Sequence, residues 1–117
     1  MKALVKSIVR NDGLENDSCP NDILDFCLGY TIDIGCEGND FINFYQFEVC
    51  SIKWLSNKIE ENGIYNGWGL IVVDKFEWSK IRRLMEEWVG SMSSDSWDIL
   101  SAKASRVGQW EFDGYGK

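Results

Sequence analysis

Phe26-Cys27-Leu28-Gly29-Tyr30-Thr31-Ile32-Asp33-Ile34-Gly35 alternates bulky apolar residues with small or polar ones, position by position. A period of two places Phe26, Leu28, Tyr30, Ile32 and Ile34 on one face of an extended chain. Glu37-Gly38-Asn39-Asp40 then has turn chemistry, and Phe41 to Cys50 alternates again, with Tyr45, Phe47 and Val49 on one side. Two alternating runs joined by a short Gly/Asn turn form an antiparallel hairpin with one apolar face.

The surrounding chain supplies what covers that face. Residues 2–10 read as a first strand, and Asn11 to Asp25 reads as a polar loop that contains the only proline, Pro20. Ser51 caps a helix running to about Glu61, with Trp54, Leu55 and Ile59 as its apolar stripe and Asn62-Gly63 as its end. Trp68 to Val73 is a nearly continuous apolar run, the pattern of a strand covered on both sides. Asp74-x-x-Glu77 has the form of a capping box for a second helix. In that helix Trp78, Ile81, Met85, Trp88 and Met92 recur at spacings of three and four, joined by Leu84 and Val89. Trp97, Leu100 and Ala104 suggest a third, short helix, and Gln109 to Asp113 alternates as a last strand. The expected fold is α+β: an antiparallel β-sheet with helices packed on one face, in the order β-β-β-α-β-α-α-β, as one domain over residues 1–117.

Composition prunes the chemistry. At 117 residues, 44% hydrophobic and 26% charged, the chain is ordinary globular material with enough aromatic side chains (six Trp, six Phe, four Tyr) for a core. It has no histidine, so Ser-His and Cys-His nucleophile pairs and His-ligated zinc are excluded. No phosphate-binding glycine loop and no Ser-x-x-Lys pair occurs. Cys19, Cys27, Cys36 and Cys50 are too widely and irregularly spaced for a zinc or redox motif. Free thiols are expected of them. Asp33, Glu37 and Gly38 match positions one, five and six of a calcium loop, but Gly35 fails position three and Phe44 stands where the bidentate carboxylate belongs. Neither a metal nor a cofactor is expected. No apolar run reaches the roughly 18 residues of a membrane span, and the N-terminus has no signal-peptide pattern, so a cytoplasmic location is expected.

Charge is the most informative feature. The net charge is −7, yet from Asn11 to Ile52 there are nine acids and no Lys or Arg: Asp12, Glu15, Asp17, Asp22, Asp25, Asp33, Glu37, Asp40 and Glu48. From Lys53 onward ten acids face nine bases. Such a field repels nucleic acid and anionic membranes and steers basic partners toward it. A stand-alone regulatory or scaffold module whose acidity serves only solubility is the bland alternative. A small hydrolase working with paired carboxylates is the catalytic one, though acids without a companion nucleophile are usually a solvated face. Lys80, Arg82 and Arg83 interleave with Glu86 and Glu87 as a salt-bridged helix surface, so nucleic-acid binding is not expected there.

Several elements stand together in a recognisable order. These are the opening Met1-Lys2-Ala3, the hairpin ending Phe44-x-x-Phe47-x-Val49-Cys50, Lys53-Trp54-Leu55, Leu70-Ile71-Val72-Val73, and Trp78 with Ile81. Ser96-Trp97 and Gly108-Gln109-Trp110-Glu111-Phe112-x-x-Tyr115 complete them. In their order and spacing they resemble the immunity protein 8 family of bacterial polymorphic toxin systems, including contact-dependent growth inhibition. The resemblance implies a cytosolic protein, without enzymatic activity or cofactor, that binds and neutralises the C-terminal domain of a cognate toxin, one to one. Phe47, Trp54, Trp97, Trp110 and Phe112 are core-type positions and carry over as fold determinants.

The charge pattern adds the kind of toxin. Nine acids without a local cation suit a basic domain, and nucleases are basic because they bind phosphate backbones. Exposed, loop-like acids are the expected toxin-binding face: Asp12, Glu15, Asp17, Asp22 and Asp25 in the first loop, with Glu37 and Asp40 at the hairpin tip. Addition of a toxin strand to an exposed sheet edge is the other mode to weigh.

Overall fold

The computed structural model describes residues 3–36, 38–67, 69–91 and 109–110. Strands β1 (Ala3–Arg10), β2 (Cys27–Cys36) and β3 (Asn39–Ser51) are followed by helix α1 (Ile52–Asn62), strand β4 (Leu70–Val73), helix α2 (Trp78–Gly90) and a two-residue strand β5 (Gln109–Trp110). The sheet order is β1-β2-β3-β4, with β5 paired antiparallel to β3 at Tyr45 and Gln46. The α+β class holds, and the β2–β3 hairpin is its centre: Tyr30 faces Phe47 and Ile32 faces Tyr45 across an antiparallel register. A break in register between Val5 and Ser7 bulges β1 at Lys6.

Three expectations about the sheet need correction. The sheet is mixed rather than antiparallel, because β4 runs parallel to β3, with Val49 beside Ile71 and Ser51 beside Val73. The cause is α1: its eleven residues between the two strands form a crossover rather than a hairpin turn. Among the described residues the element order is β-β-β-α-β-α, closed by β5, which is not the expected order. The third helix expected near Trp97–Ala104 and residues 111–113 of the last strand lie outside the described residues. β4 is also not covered on both sides, for Val72 is 45% exposed and the other three residues are half-buried.

The core lies on the face that the alternation of β2 picks out. Tyr30, Ile32, Ile34, Tyr45, Phe47 and Val49 are all 2% exposed or less. Helix α2 closes over them with buried Ile81, Met85 and Val89. Trp78 stacks on Tyr30 with ring centroids 5.0 Å apart, and Trp88 meets Phe47 edge-on at 5.3 Å. The stripe is narrower than its sequence suggests, since Leu84 is half exposed. Helix α1 buries no residue. Its Trp54 packs against Tyr65, whose hydroxyl donates to Glu48. Glu48 alternates with Phe47 and Val49, so α1 lies toward the opposite face from α2 and the helices do not share one face.

Helix ends show where local chemistry prevails. Ser51 caps α1 as expected, its Oγ accepting from the Trp54 amide at 3.2 Å, and the chain leaves the helix at Gly63 with φ +75°. The capping box of α2 does not form. Asp74 accepts from the next amide, Lys75, and Glu77 is held by Lys75 and Lys80 at 3.4 and 3.3 Å. Helix α2 starts at Trp78 without a side-chain cap.

Candidate functional site

The loop from Asn11 to Phe26 joins the end of β1 to the start of β2. It occupies the end of the sheet where β3 passes into α1 and the chain enters α2. Local rules shape it. Gly13 takes φ +82° and its amide bonds the Arg10 carbonyl at 3.1 Å, a turn that favours glycine. Asp12 and Asp22 each fold back on the amide two residues ahead, those of Leu14 and Leu24, at 3.0 and 2.9 Å.

Long-range bonds then fasten the loop to the sheet. Arg10 is 3% exposed and donates from Nε to Asp12 at 2.9 Å. Its Nη1 reaches the carbonyls of Glu15 (3.3 Å) and Ser18. The Tyr30 hydroxyl donates to the Asn16 carbonyl at 2.9 Å, and Asn16 returns a bond to the Ile8 carbonyl at 2.8 Å. Burial pushes the Tyr30 hydroxyl above its ordinary value, opposed in part by the Arg10 charge, so it remains a donor. At the far end, the Phe26 amide bonds Ser51 Oγ and the Phe76 amide bonds the Ile23 carbonyl.

This framework decides which predicted residues meet. Asp12, Glu15, Asp17 and Asp22 are exposed on the loop and Asp25 is half-buried beside them. Exposed Leu14, Ile23 and Leu24 stand between them, which gives the loop apolar as well as anionic surface. The hairpin tip is elsewhere. Strand β2 begins next to the loop and ends at Cys36, nine steps of about 3.3 Å away, so the turn and Asp40 lie roughly 30 Å from the loop. Glu37 lies outside the described residues. The loop and position 40 therefore stand at opposite ends of the sheet. Asp33, within β2, accepts a hydrogen bond from Ser7.

Arg10 is not among the expected site residues: it stands one position before the acidic stretch from Asn11 to Ile52, and Asp12 is ion-paired to it. The signal was present: strand alternation puts Arg10 on the same face as Ile8, and a charge there needs buried partners.

Other surfaces offer less. A cleft of about 470 Å³ runs between β1 and α2, lined by Ala3 to Ile8, Asn16 and one side of α2, where Arg82 and Glu86 pair with each other at 2.8 Å. The β1 edge beside it is guarded against strand addition by the bulged Lys6 and by Asn16 on the Ile8 carbonyl. All four cysteines are free. Burial, and then the hydrogen bond to Glu48, push the Cys27 thiol far up, and burial pushes Cys50 up to about 11. These thiols are protonated at neutral pH and are not activated nucleophiles. Among the described residues no three Cys, Asp or Glu side chains gather as a metal-holding group, and no helix is long and apolar enough to cross a membrane. What the loop presents is an anionic and apolar surface on a backbone hydrogen-bonded to the sheet.

Neither a curated protein nor a solved structure matches the chain. The family model for immunity protein 8, by contrast, matches residues 4–115, nearly the whole length, and this chain belongs to the immunity protein 8 family.

Proposed function

We propose that this chain, acting as one domain in the cytoplasm of the producing cell, binds and neutralises the C-terminal domain of a cognate toxin, one to one. The toxin belongs to contact-dependent growth inhibition or a related polymorphic toxin system, and its chemistry is that of a basic nuclease. The chain itself is not an enzyme. Family membership supports the toxin partner, and the anionic loop supports the kind of toxin.

The observation that carries this reading is the loop itself: Asp12, Glu15, Asp17, Asp22 and Asp25 within fourteen residues, four of them exposed, on a backbone bonded to two strands. A nuclease domain presents cations along its phosphate track, and a carboxylate surface competes for that track or for a patch beside it. Charge complementarity sets a fast, salt-sensitive association, while the apolar residues Leu14, Ile23 and Leu24 slow release. Because the hairpin tip lies at the other end of the sheet, the loop is the primary docking surface, and Glu37 and Asp40 belong to it only if the toxin spans both ends.

Glu15 and Asp17 are the positions for the test, because no ion pair or turn bond occupies their carboxylates among the described residues. Changing both to Lys slows association with the toxin domain about tenfold or more at low salt and leaves the fold intact. An unchanged association rate at low salt refutes the loop as the docking surface.

A further inference from the structure

Exposed carboxylates carry the charge of the loop, but a single buried cation fixes its shape. The Arg10 guanidinium, 3% exposed, binds the Asp12 side chain and the carbonyls of Glu15 and Ser18, and so ties together positions spread over seven residues. Arg suits this task because its planar fork offers donors in several fixed directions, which a lysine ammonium does not. Tyr30, fully buried and stacked on Trp78, adds a bond to the Asn16 carbonyl between those two anchors. The loop is thus held by side chains that rise from the core face of β1 and β2.

We propose that Arg10 is the positioning residue for toxin recognition, presetting the conformation in which the acidic loop meets its partner, with Tyr30 as a second anchor. This rests on the reading that the loop is the docking surface. A loop that arrives ordered loses little conformational entropy on binding, whereas a loosened one is ordered at the expense of affinity. Arg10 is too buried to touch the toxin, so its effect passes through Asp12, Glu15, Asn16 and Ser18.

The charge of Arg10 gives the role a distinctive kinetic signature. Arg10→Gln removes one positive charge from beneath the loop, taking the net charge from −7 to −8. Steering of a basic partner then strengthens while loop order weakens. Association at low salt is therefore unchanged or faster, and dissociation is faster. A side chain that serves only global stability moves neither rate once the variant is folded.

The test measures binding of the full chain to a catalytically inactive form of its cognate toxin domain, by surface plasmon resonance well below the melting temperature. Arg10→Gln dissociates about tenfold faster without slower association, and amide exchange at Gly13 and Ser18 accelerates. Arg10→Lys, which keeps the charge and loses the fork, dissociates at an intermediate rate. Tyr30→Phe removes one loop bond with the core and charge unaltered and dissociates a few-fold faster, so it carries the test if Arg10→Gln fails to fold. Wild-type dissociation in the folded variants overturns the role of Arg10. If association is slowed in the double Glu15→Lys, Asp17→Lys variant, that failure belongs to Arg10 alone. If the double variant associates normally, the docking reading and this role fall together.

Discussion

Replacing Ser51 with alanine removes one oxygen that serves two backbone donors. Ser51 is fully buried where β3 passes into α1. Its Oγ accepts from the Trp54 amide at 3.2 Å, which caps α1, and from the Phe26 amide at 3.1 Å, which closes the acidic loop. Loss of an N-cap costs about 1 kcal/mol. The Phe26 amide, on a residue 5% exposed, is left without that partner in a site where water enters poorly, a further cost of about 1–3 kcal/mol. The total is roughly 2–4 kcal/mol, which for a chain of this size lowers the melting temperature by about 8–16 °C. Urea unfolding followed by tryptophan fluorescence and far-UV circular dichroism measures it, with Ser56→Ala on the exposed side of α1 as a control near zero. A loss under about 0.5 kcal/mol for Ser51→Ala refutes the reasoning, because it means that neither amide depends on the hydroxyl.

Three further outcomes follow from the same geometry. Ile32→Ala, at a fully buried position on a central strand, loses about 2–5 kcal/mol by equilibrium unfolding, and a smaller loss means that the sheet collapses into the cavity. Gly63→Ala strains the left-handed end of α1 and costs about 1 kcal/mol in the same assay, and no change there indicates that the last turn of α1 frays freely. Cys50 has a folded pKa of about 11 against an ordinary 9.0, so its neutral thiol contributes stability in full below pH 9, and that part is lost as pH rises through about 11. At pH 8 an aromatic disulfide reagent accordingly labels exposed Cys19 first and reaches Cys50 only on unfolding, and rapid labelling of Cys50 in the folded chain contradicts its burial.

Where a single periodicity settles an element, the sequence is a sufficient guide. Phe26 to Gly35 alternates without interruption, and its apolar face is the core; Ser51 and Gly63 bracket α1 because each acts within one turn. Outcomes that depend on long-range geometry were not legible. Leu70 to Val73 is apolar for a buried or a half-open strand alike, and its parallel course follows from where α1 lands rather than from its own residues. Asp74 and Glu77 spell a capping box, but each carboxylate has a nearer partner, in an amide or a lysine. For the candidate site, the acidity of the loop was legible and its anchoring was not. Alternation with Ile8 puts Arg10 on the inner face of its strand, but which loop groups meet its guanidinium depends on how residues 12–18 fold back, and that is long-range geometry.

The most direct test of the central claim is co-expression of this chain with its cognate toxin domain, followed by co-purification at low and high salt and a growth assay. The account predicts a one-to-one complex that protects the cell from the toxin and forms more slowly as salt rises. A well-folded chain that neither binds the domain nor protects against it contradicts the account.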